Sequence, residues 1–171
     1  MSDETTGETP AVVAEAIKKA AVAWVSAGGA PAVALWCVPF EGSLLLVTGT
    51  GEQPAPFLAD AGTASVTMRG DHGGHIVSWP ASVTRVKPDS EQWETAAPLV
   101  AGKRLNARGG TDQLVERWAR ECVLLRLAPS GPPTEAGDSL PHDPQADPPR
   151  PTPAARATRK PFRLHRVRRR R

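Results

Sequence analysis

Apolar residues along the chain fall into blocks of different period, and the periods name the elements. After Thr9-Pro10, a hydroxyl and a ring suited to a helix start, Val13, Ile17 and Ala20 or Ala21 recur at helical spacing, and Glu15 precedes Lys19 by four. This predicts a short helix that gives way near Ala21 to the β-leaning run AVAWVSA, stopped by Gly28-Gly29. The run AVALWCVPF, Ala32 to Phe40, is almost continuously apolar, the mark of a strand covered on both faces, by a core on one side and a helix or second subunit on the other. Glu41-Gly42 makes a two-residue turn into the returning strand SLLLVTG, Ser43 to Gly49. A stretch with two prolines follows, with a short helix anchored on Phe57 and Leu58.

Further on, TASVTMRG and HIVSWPASVTRV flank the turn Asp71-His72-Gly73-Gly74 and predict a second hairpin. Pro80 would place its strand at an edge or a bulge. Lys87-Pro88-Asp89-Ser90 ends that strand and caps a helix to about Ala97, which Pro98 would break. Thr111-Asp112 caps another helix with Leu114, Val115 and Trp118 inward, and ECVLLRLAP is a closing strand that stops at Pro129. Antiparallel hairpins interspersed with helices predict a mainly β, α+β domain: a small split antiparallel barrel with short flanking helices.

Composition sharpens the boundaries. Almost all large aliphatic residues and every tryptophan precede Pro129, whereas prolines concentrate after it. The expected organisation is a disordered N-terminus over 1–9, one folded domain over 10–129, and a disordered tail over 130–171, Pro-rich and then Arg-rich. The net charge of +3 conceals a division: residues 10–129 hold eleven acids and eleven Lys or Arg, while 150–171 hold ten Lys or Arg and no acid. The basic character belongs to the tail, which suits weak, salt-dependent contact with a polyanion. The acidic start MSDETTGETP does not read as a leader, and no stretch reaches the roughly 20 apolar residues of a membrane span. A cytoplasmic protein is the expectation. Cys37 and Cys122 lie in apolar segments and read as buried thiols, with a disulfide between them left open by spacing alone.

The helix followed by AWVSAGGAPAVALWCVPFEGSLLLVTGTGEQ, and then VSWPASVTRV, resembles the pyridoxamine 5'-phosphate oxidase-like proteins of the flavin-binding split-barrel superfamily. Trp93, Arg104-Leu105-Asn106, Arg117-Trp118-Ala119 and the closing Leu-x-Pro resemble an actinobacterial branch of that group. The resemblance spans residues 10–129 and implies a homodimer that binds FMN, or a deazaflavin, at the subunit interface. It implies that the ring packs near Leu35, Trp36 and Cys37, and that the phosphate meets Thr48, Gly49, Thr50, Gly51 and Gln53. At that exit Glu52 stands where a dianionic phosphate would want a cation, leaving backbone N–H groups, with Arg69 and Arg85 on neighbouring strands, to supply the attraction.

Each of these residues also has a plainer role. Thr48 and Thr50 suit a strand end and its turn, and Trp36 suits a core at a dimer interface. His72 and His75 have metal-ligand spacing but no third ligand beside them, so no metal is expected. No Ser-His-Asp, Cys-His or paired-carboxylate spacing marks a catalytic set. Three functions follow: a flavin-dependent oxidoreductase acting on a small molecule, a non-catalytic binding module on the same fold, and a nucleic-acid-associated protein acting through residues 150–171.

Overall fold

The computed structural model describes residues 9–107, 109–141 and 153. One compact unit runs to Pro141. Its elements in chain order are α1 (Ala11–Lys18), β1 (Val22–Ser26), β2 (Val33–Trp36), β3 (Val38–Phe40), β4 (Ser43–Gly49), α2 (Pro56–Ala59), β5 (Thr63–Arg69), β6 (His75–Val86), α3 (Glu91–Lys103), α4 (Thr111–Glu121), β7 (Cys122–Pro129) and β8 (Glu135–Ala136). The strands form a single antiparallel sheet in the order β2–β1–β5–β6–β7–β4–β3, with β8 added beside β6. The two ends of that order, β2 and β3, are consecutive in the chain. At Cys37 the run changes partner: the Cys37 N–H still bonds to Ala21 of the β1 side, and Val38 already pairs with Leu45 of β4. The sheet therefore curls round on itself into the mainly β split barrel that the sequence predicts.

Turn chemistry fixes the registers. Glu41 and Gly42 both take positive φ, 45° and 69°, the backbone of a tight hairpin turn whose twist matches its strands, so Phe40 lies opposite Ser43. In the second hairpin Gly73 has φ 80° and the Gly70 N–H bonds to the Gly74 carbonyl.

Two apolar clusters hold the fold. Inside the barrel, Leu35, Leu44, Leu46, Val66, Val77, Trp79, Leu125 and Leu127 pack together, closed by Val13 and Ile17 of α1. On the outer face, α3 and α4 lay Trp93, Ala97, Val100, Leu114 and Trp118 over Leu45, Val47 and Leu124. Period-2 alternation sends Leu44 and Leu46 to one cluster and Leu45 and Val47 to the other, so β4 is sandwiched.

Here the structure amends the sequence reading. The strand covered on both faces is β4, whereas Ala32 and Val33 lie exposed in this chain. Pro98 does not end its helix. Capped by the Ser90 hydroxyl, which accepts from the Trp93 N–H, α3 runs on to Lys103. Burial of Ala97, Val100 and Ala101 on either side of the proline outweighs the hydrogen bond its ring removes. Thr9 and Thr111 are not caps: Pro10 and Gly110 occupy those positions without side-chain bonds. Pro80 lies within a long interior strand, at the point where its neighbour on one side changes from β8 to β7. There its carbonyl accepts from the Ser130 N–H, and no ladder donor is missing.

The chain also does not leave the barrel at Pro129. The Thr134 N–H bonds to the Ser78 carbonyl, β8 pairs with Val77 and Ser78, and a short 3-10 turn follows over Gly137–Ser139. Residues 130–141 therefore belong to the folded unit and not to the disordered tail expected there. The expected disorder over 1–8, and over 142–171 apart from Pro153, lies outside the described residues.

Candidate functional site

Where β2 hands over to β3, the outer face of the sheet carries a cleft. Trp36 and its cross-strand partner Val22 form the floor, and Val38 and Pro39 continue it. The end of α1 contributes Lys18 and Lys19, and the end of α3 contributes Leu99, Lys103, Arg104 and Leu105. The cleft measures about 760 Å³, the size of a small-molecule or cofactor site. Its described lining combines a half-buried indole, several aliphatic side chains and four cations; no carboxylate lines it, although Lys18 and Lys19 pair with Glu15 on α1 and Arg104 with Glu52. The Arg104 guanidinium carbon sits 5.7 Å from the Trp36 ring centre, a cation–π contact that orients both. Exposed along this cleft are Val22, Leu99 and Leu105.

Of the three residues expected against a ring, Trp36 faces this cleft. Leu35 points to the opposite side of the strand and is lost in the barrel interior. Cys37 borders the cleft but is buried, and burial pushes its thiol up to about 12. Both cysteines are free.

At the β4 exit, where a phosphate was expected, the Thr48 and Gln53 side chains are bonded within the chain. Thr48 is buried and its hydroxyl accepts from the Ala55 N–H at 2.9 Å. A Cβ on Gly49 would lie 2.8 Å from the Cys122 backbone, so glycine here serves close strand approach. The Thr50 carbonyl accepts from Arg117 Nη1, and that nitrogen lies 3.0 Å from where a Cβ on Gly51 would be. Gln53 is spent on the backbone of Trp36: its Oε1 accepts from the Trp36 N–H at 2.8 Å and its Nε2 donates to the Trp36 carbonyl at 2.9 Å.

Glu52, noted in the sequence as the wrong charge for a phosphate, is the centre of this region. Its side chain is 1% exposed. Arg104 Nε donates to Oε2 at 2.9 Å; Arg117 Nη2 and Trp118 Nε1 donate to Oε1 at 2.5 and 3.0 Å. Desolvation pushes the carboxyl up, but the bonds from Trp118, Arg104 and Arg117, with the charge of Arg104, outweigh it and hold the group below the usual carboxylate range. The cations that the exit lacks in sequence are thus present in space, supplied by α3 and α4. Arg69 and Arg85 are engaged elsewhere: Arg69 bonds to the Gly73 carbonyl and lies over Trp24, and Arg85 bonds to Asp60 and to the Ala59 carbonyl. The lysines of the cleft carried no sequence signal beyond their charge.

No family model matches the sequence, and no curated protein matches it. Solved structures do. HutZ, the heme storage protein from Vibrio cholerae, aligns at TM-score 0.52 with 16% identity over 70% of this chain and 88% of that one. A conserved hypothetical protein from Mycobacterium tuberculosis aligns at TM-score 0.52 with 16% identity over 72% of this chain and 81% of that one. A FAD-binding protein from Mesorhizobium loti aligns more loosely, at TM-score 0.45 and 14% identity over 71% and 91%. The chain shares its split-barrel fold with HutZ and with the Mycobacterium tuberculosis protein. At these identities the likeness extends to the fold and no further. No helix among the described residues is long and apolar enough to cross a membrane.

Proposed function

We propose that the protein binds a flavin-class cofactor, FMN or a deazaflavin, in the Trp36 cleft and serves as an oxidoreductase for a small molecule. The observation that carries the reading is the cleft's composition: an indole for stacking beside aliphatic side chains, ringed by Lys18, Lys19, Lys103 and Arg104 with no carboxylate among the described lining. Such a lining favours a planar ligand with an anionic end. The Thr48–Gln53 exit suits a phosphate poorly, because the Thr48 and Gln53 side chains are already paired and Glu52 brings negative charge, so the anionic end is placed on the lysine side. When bound, a flavin supplies hydride chemistry; these residues hold it, orient it and shield it from water. The heme of HutZ is not carried over, since no histidine is among the described residues lining this cleft. A second copy of the chain is the proposed cover for exposed Val22, Leu99 and Leu105, and it would narrow the cleft into a pocket between subunits.

The test is an absorbance spectrum of the purified protein, titration with FMN and with a deazaflavin, and a molar mass by light scattering. Saturable binding to a dimer is expected, weakened about tenfold or more in Trp36→Ala by loss of one stacking partner. A colourless protein that titrates with neither cofactor overturns the reading and leaves a binding module on the same fold.

A further inference from the structure

Glu52, Arg104, Arg117 and Trp118 form a self-contained unit that stacking and cleft charge do not explain. Each guanidinium is anchored independently of Glu52: Arg117 Nη1 donates to the Thr50 carbonyl and Arg104 Nη1 to the Leu105 carbonyl. Each then turns a second nitrogen inward, and the Trp118 indole N–H joins them. Trp118 is wholly buried, and Glu52 is the hydrogen-bond partner of its N–H. Two cations and a neutral donor thus converge on one small volume, an arrangement that suits an oxyanion. Its positive charge exceeds what one carboxylate cancels. Arg104 also lines the cleft and lies over Trp36, so the volume adjoins the cleft.

We propose that Arg104, Arg117 and Trp118 constitute an oxyanion seat that the chain fills with its own Glu52, making Glu52 the specificity-determining residue of the adjoining cleft. Because the carboxylate is tethered, its local concentration far exceeds that of any free anion. A ligand of the cleft is therefore refused a phosphate at the β4 exit and is held by its ring and by the lysine side alone. The seat itself does not depend on the flavin reading; the consequence for ligand choice does.

The experiment separates the two. Inorganic phosphate is titrated calorimetrically into wild type, Glu52→Ala and the double variant Glu52→Ala/Arg117→Ala, with far-UV circular dichroism as the check on folding. Glu52→Ala is expected to bind phosphate at least about tenfold more tightly than wild type, the effect of one charge-assisted hydrogen bond, and the double variant to lose that gain. A folded Glu52→Ala that binds phosphate no better than wild type overturns the seat. If Glu52→Ala does not fold in phosphate-free buffer, phosphate is expected to restore its fold by occupying the vacated volume; failure of that rescue overturns the seat equally. FMN and riboflavin then report on ligand choice. Wild type is expected to owe any preference for FMN to the lysine side, so that Arg117→Ala leaves it unchanged, and Glu52→Ala to prefer FMN more strongly. A wild-type preference for FMN that Arg117→Ala abolishes would show a ligand phosphate already in the seat, against the proposal. Should no flavin bind at all, the phosphate arm still decides whether the seat exists.

Discussion

Replacing Arg117 by Ala tests the buried ion-pair cluster as a source of stability. Arg117 is one of two cations on a carboxylate that is 1% exposed, and it is itself 31% exposed. Removing one partner of a buried pair costs about 3–5 kcal/mol. Arg104 stays behind as counter-ion at 2.9 Å, so the lower end applies, about 3 kcal/mol near neutral pH. For a domain of this size that lowers the melting temperature by about 10 °C. Glu52 has a native pKa below its ordinary 4.5, so its stabilisation is complete above that value and is lost as pH falls through the native one. Without Arg117, desolvation meets less opposition and the native pKa rises. The gap between wild type and variant is therefore widest near neutrality and narrows in acid. Urea unfolding of both proteins near pH 7 and again near pH 3 measures it. A gap below about 1 kcal/mol at neutral pH, or one that acid leaves unchanged, would refute the claim that Glu52 is a buried, ionised hub.

Two further outcomes follow from burial and pairing. In the native protein an alkylating reagent should modify Cys122, which is half-buried, well before Cys37, whose thiol burial has pushed up to about 12; mass spectrometry of partly labelled protein gives the order, and equal rates would contradict the burial of Cys37 beside the cleft. Truncation after Pro141 should leave stability unchanged and abolish salt-dependent retention on heparin through residues 150–171, whereas truncation after Pro129 should also cost about 1–3 kcal/mol by stripping β8 and the Thr134 bond to Ser78.

Local chemistry made much of the barrel legible. Glu41-Gly42 and Gly73 announce their turns because positive φ has few residue types to carry it, and the strands between them follow from alternation. What depends on distant chain was not legible. Ala32–Phe40 and Ser43–Gly49 look alike as apolar runs, and which one is sandwiched is settled by where α3 and α4 come down. Pro98 obeys the rule for an isolated helix and yields to a buried face that its own neighbours do not reveal. At the site, Glu52 stood out as a charge out of place, but its partners Arg104 and Arg117 lie 52 and 65 residues further on. No spacing rule connects residues so far apart. Trp36 entered through the family resemblance alone, and the lysines beside the cleft did not enter at all, since charged helix ends are ordinary.

The bond pair between Gln53 and Trp36 has a consequence for how the protein behaves in a crowd of its own copies. Trp36 directs its N–H and C=O away from β1, toward the side where the barrel has no neighbouring strand. A bare edge of this kind is a template on which another chain can add a strand and begin a fibre. The Gln53 amide answers both groups at once, donor to acceptor and acceptor to donor, as a single peptide unit of a neighbouring strand would. A carboxylate there could only accept, leaving the carbonyl uncovered, and an aliphatic chain could do neither. One side chain thus seals the seam of the barrel at Trp36 against strand-by-strand growth, leaving the face of Trp36, rather than its edge, open to partners.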